Sequence, residues 1–130
     1  MYSVLLADDS TFLRAWLRRL INNEIFQVTG EAKNGKEAFM SYKENKPDIV
    51  FMDITMPIMD GIEALKKIKE YDLDARIVMV SSLGQQSIIL DCLRLGAMDF
   101  VVKPHFQHIQ SILNNVAIVP SSNDKKEVAR

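Results

Sequence analysis

The sequence predicts an α/β domain: a parallel sheet with helices on both of its faces. Two observations carry that prediction. Short β-rich apolar runs alternate about five times with segments of helical periodicity. The central run, Ile49 to Asp53, is apolar until its last residue, which marks a strand buried on both faces. A third observation concerns chemistry: the predicted strands end on polar side chains, and in an open parallel sheet ligands gather at the carboxyl ends of the strands.

The elements follow in order. Tyr2 to Ala7 is a short β-rich run, strand one, which ends at Asp8-Asp9. Ser10-Thr11 offers an N-cap, and Leu13, Trp16, Leu17, Leu20 and Ile21 recur at helical spacing up to Asn22-Asn23. Trp16 lies on that apolar face and reads as a core residue. Phe26 to Ala32 is strand two, with Val28 and Ala32 inward. Asn34-Gly35 has the composition of a hairpin turn. Lys36 to Glu44, however, has helical rather than alternating character, so a helix is expected there, with Ala38, Phe39 and Tyr42 inward. Lys46-Pro47-Asp48 breaks it and leads into strand three.

Gly61 to Tyr71 is helix three, with Ile62, Leu65 and Ile68 inward and its lysines on a solvated face. Arg76 to Val80 is strand four, running into Ser81-Ser82. Ile88, Ile89, Cys92, Leu93 and Leu95 define helix four, with Gly96 placed as its left-handed terminator. Asp99 to Val102 is strand five, ending at Lys103-Pro104. Ile109, Ile112, Leu113 and Val116 form helix five. One domain over 1–119 is expected. The polar, aperiodic residues 120–130 read as a mobile tail or linker.

Composition narrows the function. The chain has 130 residues, 48% hydrophobic and 25% charged, with a formal net charge of -1. That balance gives no basic field to attract nucleic acid or an anionic membrane. No apolar run is long enough to span a bilayer and no signal peptide is apparent, so a cytoplasmic setting is expected. The single cysteine, Cys92, sits in a helical apolar pattern and reads as a small buried hydrophobe. His105 and His108 have no accompanying cysteine or histidine pair, so they read as surface residues rather than metal ligands.

In a parallel sheet Asp8, Asp9, Asp53, Ser81 and Lys103 meet at one edge. Crowded carboxylates repel unless a cation joins them, and Mg²⁺ favours one or two carboxylates with water and phosphate oxygens. A carboxylate can also attack phosphorus to form an aspartyl phosphate. That transfer needs positioning and neutralisation of charge on the phosphoryl oxygens. Asp53 is therefore read as the phosphoacceptor, and Asp9 as a Mg²⁺ ligand. Asp8 would bind the metal directly or through water, and the Thr55 backbone carbonyl would be a further ligand. Lys103 supplies a point charge and Ser81 a hydroxyl donor.

These residues carry a resemblance. Asp8-Asp9-Ser10, Asp53 within Met-Asp-Ile-Thr-Met-Pro-Ile-Met-Asp-Gly, Ser81 after Ile-Val-Met-Val, and Phe100-Val-Val-Lys-Pro104 are similar to the motifs of response-regulator receiver domains. The likeness covers roughly residues 2 to 117, and within the family it is greatest to the free-standing chemotaxis regulators of the CheY type. It implies a flavodoxin-like sheet in the order 2-1-3-4-5 and phosphotransfer from a histidine kinase to Asp53. It also implies a switch in which Ser81 moves toward the phosphoryl group and Phe100 turns inward. In the family, the positions of Thr55 and Leu83 flank the path of the hydrolytic water. Leu83 cannot hydrogen-bond that water, so slow dephosphorylation and a separate phosphatase are expected. Output would come from protein binding at helix four, strand five and helix five, with a flagellar motor switch component as the kind of target. An excised receiver from a longer regulator and a phosphorylation-independent scaffold are the alternatives, and neither requires a different fold.

Overall fold

The computed structural model describes residues 1–120. Strand and helix alternate throughout: β1 (Tyr2–Ala7), α1 (Thr11–Ile21), β2 (Phe26–Ala32), α2 (Gly35–Asn45), β3 (Ile49–Asp53), α3 (Gly61–Tyr71), β4 (Ile77–Ser81), α4 (Gln86–Arg94), β5 (Asp99–Val102) and α5 (Ile109–Ile118). The five strands pair in parallel in the order β2-β1-β3-β4-β5. The expected fold class and strand order are thus observed. The tail expected over 120–130 lies, beyond residue 120, outside the described residues.

The two-residue period of the strands divides the core into two layers. Leu5, Val50, Met52, Ile77 and Met79 face α2, α3 and α4, where Ala38, Tyr42, Leu65, Ile68 and Cys92 close the layer. Val4, Leu6, Ile49, Phe51, Val78 and Val80 face α1 and α5, where Leu17, Ile21, Leu113 and Val116 close the other. β1 and β3 are neighbours at the point where the chain reverses its order through the sheet. The ends of these two strands therefore flank a crevice.

Side-chain caps fix where three helices begin. Ser10, Asn34 and Asp60 each adopt extended backbone and accept from the amide three residues on, at Leu13, Glu37 and Glu63. Asn34-Gly35 is thus a helix start, not a hairpin. Gly96, at φ 108, ends the α4 segment in a conformation that glycine adopts without penalty.

One local expectation is corrected. β4 spans Ile77–Ser81 rather than Arg76 to Val80. Arg76 instead turns its guanidinium onto the Val116 and Ala117 carbonyls, at 2.7 and 3.0 Å, and satisfies the end of α5. On α4 the buried seam runs through Ile88, Cys92 and Leu95, which leaves Leu93 41% exposed. Trp16 is half-buried at the core margin, edge-on to the Phe106 ring with centroids 4.9 Å apart. Among the described residues no helix is long and apolar enough to cross a membrane.

Candidate functional site

Asp8 directly follows β1, and every polar group it carries is engaged. Its amide donates to the Ala32 carbonyl at 3.0 Å, which ties the strand end to β2. Its Oδ1 accepts from the Ser10 amide at 2.8 Å, and its Oδ2 from Lys103 Nζ at 2.7 Å. Asp53 ends β3 and is buried, with its Oδ2 3.3 Å from the same ammonium. Lys103 therefore bridges acids from two neighbouring strands. Asp9 is exposed, yet one carboxylate oxygen from each of Asp8, Asp9 and Asp53 lies within 4.8 Å of the others.

Ser81 closes β4 and is buried. Its hydroxyl oxygen accepts from the Leu83 amide at 3.1 Å, which leaves the O–H free to donate. The Lys103 amide donates to the Ser81 carbonyl at 2.9 Å, so β4 and β5 deliver hydroxyl and ammonium side by side. Thr55 is exposed two residues beyond Asp53. Leu83 and Phe100 are half-buried, packed against the layer formed by α2, α3 and α4. His105 and His108 are exposed, as expected.

The electrostatics follow from this crowding. Burial raises the Asp53 carboxyl above its ordinary range, and the Asp8 charge raises it further; Lys103 and the Ile54 amide oppose them. Three carboxylates against one bridging ammonium leave an excess of negative charge. The donors are all hard oxygens converging from two strand ends. That set fits Mg²⁺, which is held by few protein carboxylates and keeps water and phosphate ligands. Asp8, Asp9 and Asp53 are the residues that would hold it.

Two contributors to this edge were not singled out in the sequence. Arg14 is buried in α1 and donates from Nη1 to the Asp8 carbonyl at 2.6 Å. The available signal was a charge on the helical stripe shared with Leu17 and Ile21. The second is the close approach of Gly61. Its amide donates to the Ile54 carbonyl at 2.7 Å, which seats the start of α3 directly on the Asp53-Ile54 backbone.

An acidic pocket at the carboxyl edge of a five-stranded parallel sheet defines the class, and the sequence agrees: the chain belongs to the response regulator receiver domain family, which it matches over residues 4–114. Its relatives include the chemotaxis protein CheY of Bacillus subtilis, 50% identical over 103 residues, covering 79% of this chain and 86% of that protein. The chemotaxis protein CheY of Thermotoga maritima is 47% identical over 116 residues, covering 88% and 96%. Among solved structures, the response regulator domain of Thermotoga maritima CheB superposes with a TM-score of 0.82 at 40% identity, over 89% of this chain and 93% of that one. The structure of the CheX-CheY-BeF3-Mg complex from Borrelia burgdorferi gives a TM-score of 0.80 at 40% identity, over 86% and 89%.

Proposed function

We propose that this chain is a phosphoacceptor response regulator in chemotaxis signalling. It takes a phosphoryl group from a histidine kinase onto Asp53 and changes its protein partners as a result. The observation that carries this reading is the Lys103 ammonium held between Asp8 and Asp53 at 2.7 and 3.3 Å. A cation placed there neutralises the nucleophile's surroundings and is positioned to meet phosphoryl oxygens.

In the proposed reaction an Asp53 carboxylate oxygen attacks phosphorus in line. The O–P bond forms as the P–N bond to the kinase imidazole breaks, and the imidazole leaves as the neutral base after taking up a proton. Mg²⁺ bound by Asp8, Asp9, Asp53 and the Thr55 carbonyl would supply charge neutralisation for the phosphoryl oxygens. The Ser81 hydroxyl moves to donate to one phosphoryl oxygen, and Phe100 moves inward with it. The phosphoryl group rewards only the conformation in which these groups are close. The chain thereby assists its own phosphotransfer and dephosphorylation without turning over a separate substrate.

The relatives named for chemotaxis support that setting, as does the Borrelia CheX-CheY complex, which contains BeF3 and Mg²⁺. The partners are a histidine kinase, an output protein such as a flagellar motor switch component, and a phosphatase. The site would work in the cytoplasm, without direct contact with nucleic acid or membrane. A second reading, the receiver of a longer regulator, draws on the 40% identity to the domain of CheB. Residues 1–119 act as the receiver under both.

The test is phosphotransfer from an autophosphorylated chemotaxis histidine kinase. The reading expects label on the native chain, none on Asp53→Asn, and loss of the label in alkali. Native protein that binds Mg²⁺ but takes no label from any such kinase would favour the scaffold alternative.

A further inference from the structure

We propose that Arg14 is a positioning residue for the metal-binding acids, acting through the Asp8-Asp9 peptide. This inference rests on the proposed function and extends it to a residue outside the phosphoacceptor set.

The geometry is specific. Arg14 is 7% exposed, and its guanidinium spans two anchors. Nη1 donates to the Asp8 carbonyl at 2.6 Å, and Nε donates to Glu31 Oε1 at 2.8 Å. Glu31 is itself held by Arg18 Nη2 at 2.7 Å, so the anchor on β2 is fixed in turn. The planar fork of arginine serves both anchors at once; a lysine ammonium on a flexible stem does not reproduce that plane.

The Asp8 carbonyl belongs to the peptide that carries the Asp9 amide. Holding that oxygen fixes the rotation of the peptide plane, and with it the direction in which the Asp9 side chain leaves the backbone. The side chain of Asp8 is already clamped by Ser10 and Lys103. The Asp9 carboxylate, by contrast, makes no hydrogen bond or ion pair among the described residues, although it lies within 4.8 Å of the other two acids. Its aim therefore depends on the backbone, and Arg14 is the side chain that holds that backbone.

The alternative role of Arg14 is a plain positive charge beside an acidic site. The two roles predict opposite signs. Removing a mere charge strengthens Mg²⁺ binding, because the cluster becomes more negative. Removing a positioning group weakens binding, and weakens it even when the charge is kept.

The experiment is Mg²⁺ titration by calorimetry on the native protein and on Arg14→Lys, Glu31→Gln and Arg18→Lys, with thermal unfolding of each recorded alongside. Outer partners of metal ligands change affinity by 10- to 100-fold, so Arg14→Lys is expected to weaken Mg²⁺ by about tenfold at a temperature where it is fully folded. Glu31→Gln keeps Arg14 but weakens its anchor, and gives a smaller loss. Arg18→Lys loosens the second hold on Glu31 without touching Asp8, and gives a loss no larger than that of Glu31→Gln. A purely structural residue would lower the unfolding midpoint while leaving the Mg²⁺ affinity of the folded protein as it was. Native or tighter Mg²⁺ binding by Arg14→Lys overturns the inference and leaves the proposed function standing. Should Arg14→Lys fail to fold, native affinity in Glu31→Gln overturns it instead. Absence of Mg²⁺ binding by the native protein overturns both.

Discussion

A β-carbon added to Gly61 would stand 1.8 Å from the carbonyl oxygen of Asp53. No side chain fits that gap, so the first residue of α3 must be glycine for the helix to seat on the end of β3. The contact is with backbone, which has little freedom to withdraw. Gly61→Ala is expected to cost roughly 3 kcal/mol, at the upper end of overpacking penalties. Urea unfolding reads this as a lower midpoint at an unchanged slope. Because the displaced atoms carry Asp53, the variant should also lose phosphorylation rate while still folded at low temperature.

Asp53 is costly to the metal-free fold. Burial lifts its carboxyl above the ordinary 3.8, so the native state binds a proton more readily than the unfolded chain does. Folding is therefore penalised at a pH above the folded value, and the penalty fades as pH falls toward 3.8. Asp53→Asn should raise the melting temperature of metal-free protein at neutral pH, and the gain should shrink on acidification. It should shrink as well in the comparison made with saturating Mg²⁺, which stabilises the native protein more. A melting temperature unchanged by the substitution at neutral pH would contradict this account.

Glu31 behaves in the opposite sense. The hydrogen bond from Arg18 holds its carboxyl below the ordinary 4.5; burial opposes this, and Arg14 adds to the lowering. A lowered folded value means stability that is present above 4.5 and lost as pH falls through the folded value. Glu31→Gln should thus be less stable than native at neutral pH and converge with it under acid. A stability gap that persists unchanged into acid would show that charge is not the source.

The lifetime of the phosphorylated form depends on what can orient water beside Asp53. Leu83 is half-buried against the α2–α4 layer, and its side chain offers no hydrogen bond. Slow loss of phosphate is expected, with Leu83→Glu accelerating it severalfold and Leu83→Met leaving it near native. Decay of isolated labelled protein measures this. Fast decay that is indifferent to Leu83→Glu would contradict it.

The sequence showed these relationships unevenly. The alternation of strands and helices was visible because parallel strands buried on both faces read as unbroken apolar runs, as Ile49 to Met52 does. Asp8, Asp53, Ser81 and Lys103 could be assigned to one edge for the same reason: each follows or closes such a run. Arg14 was not visible, because a charge within an amphipathic helix ordinarily faces water, and only the folded neighbours Glu31 and Asp8 explain its burial. The β4 boundary shifted because Arg76 is drawn to the end of α5, an interaction across 40 residues that no local pattern encodes. Leu93 shares in the apolar spacing that marks α4 but lies one residue of helical rotation from the buried Cys92, and is exposed.

The most direct measurement is intact mass after incubation with a small phosphodonor and Mg²⁺, on the native chain and on Asp53→Asn. The account predicts one added phosphate on the native chain, dependent on Mg²⁺ and absent from the variant. Native protein that binds Mg²⁺ yet gains no phosphate, or a variant that gains one as readily, would contradict the assignment of Asp53 as phosphoacceptor.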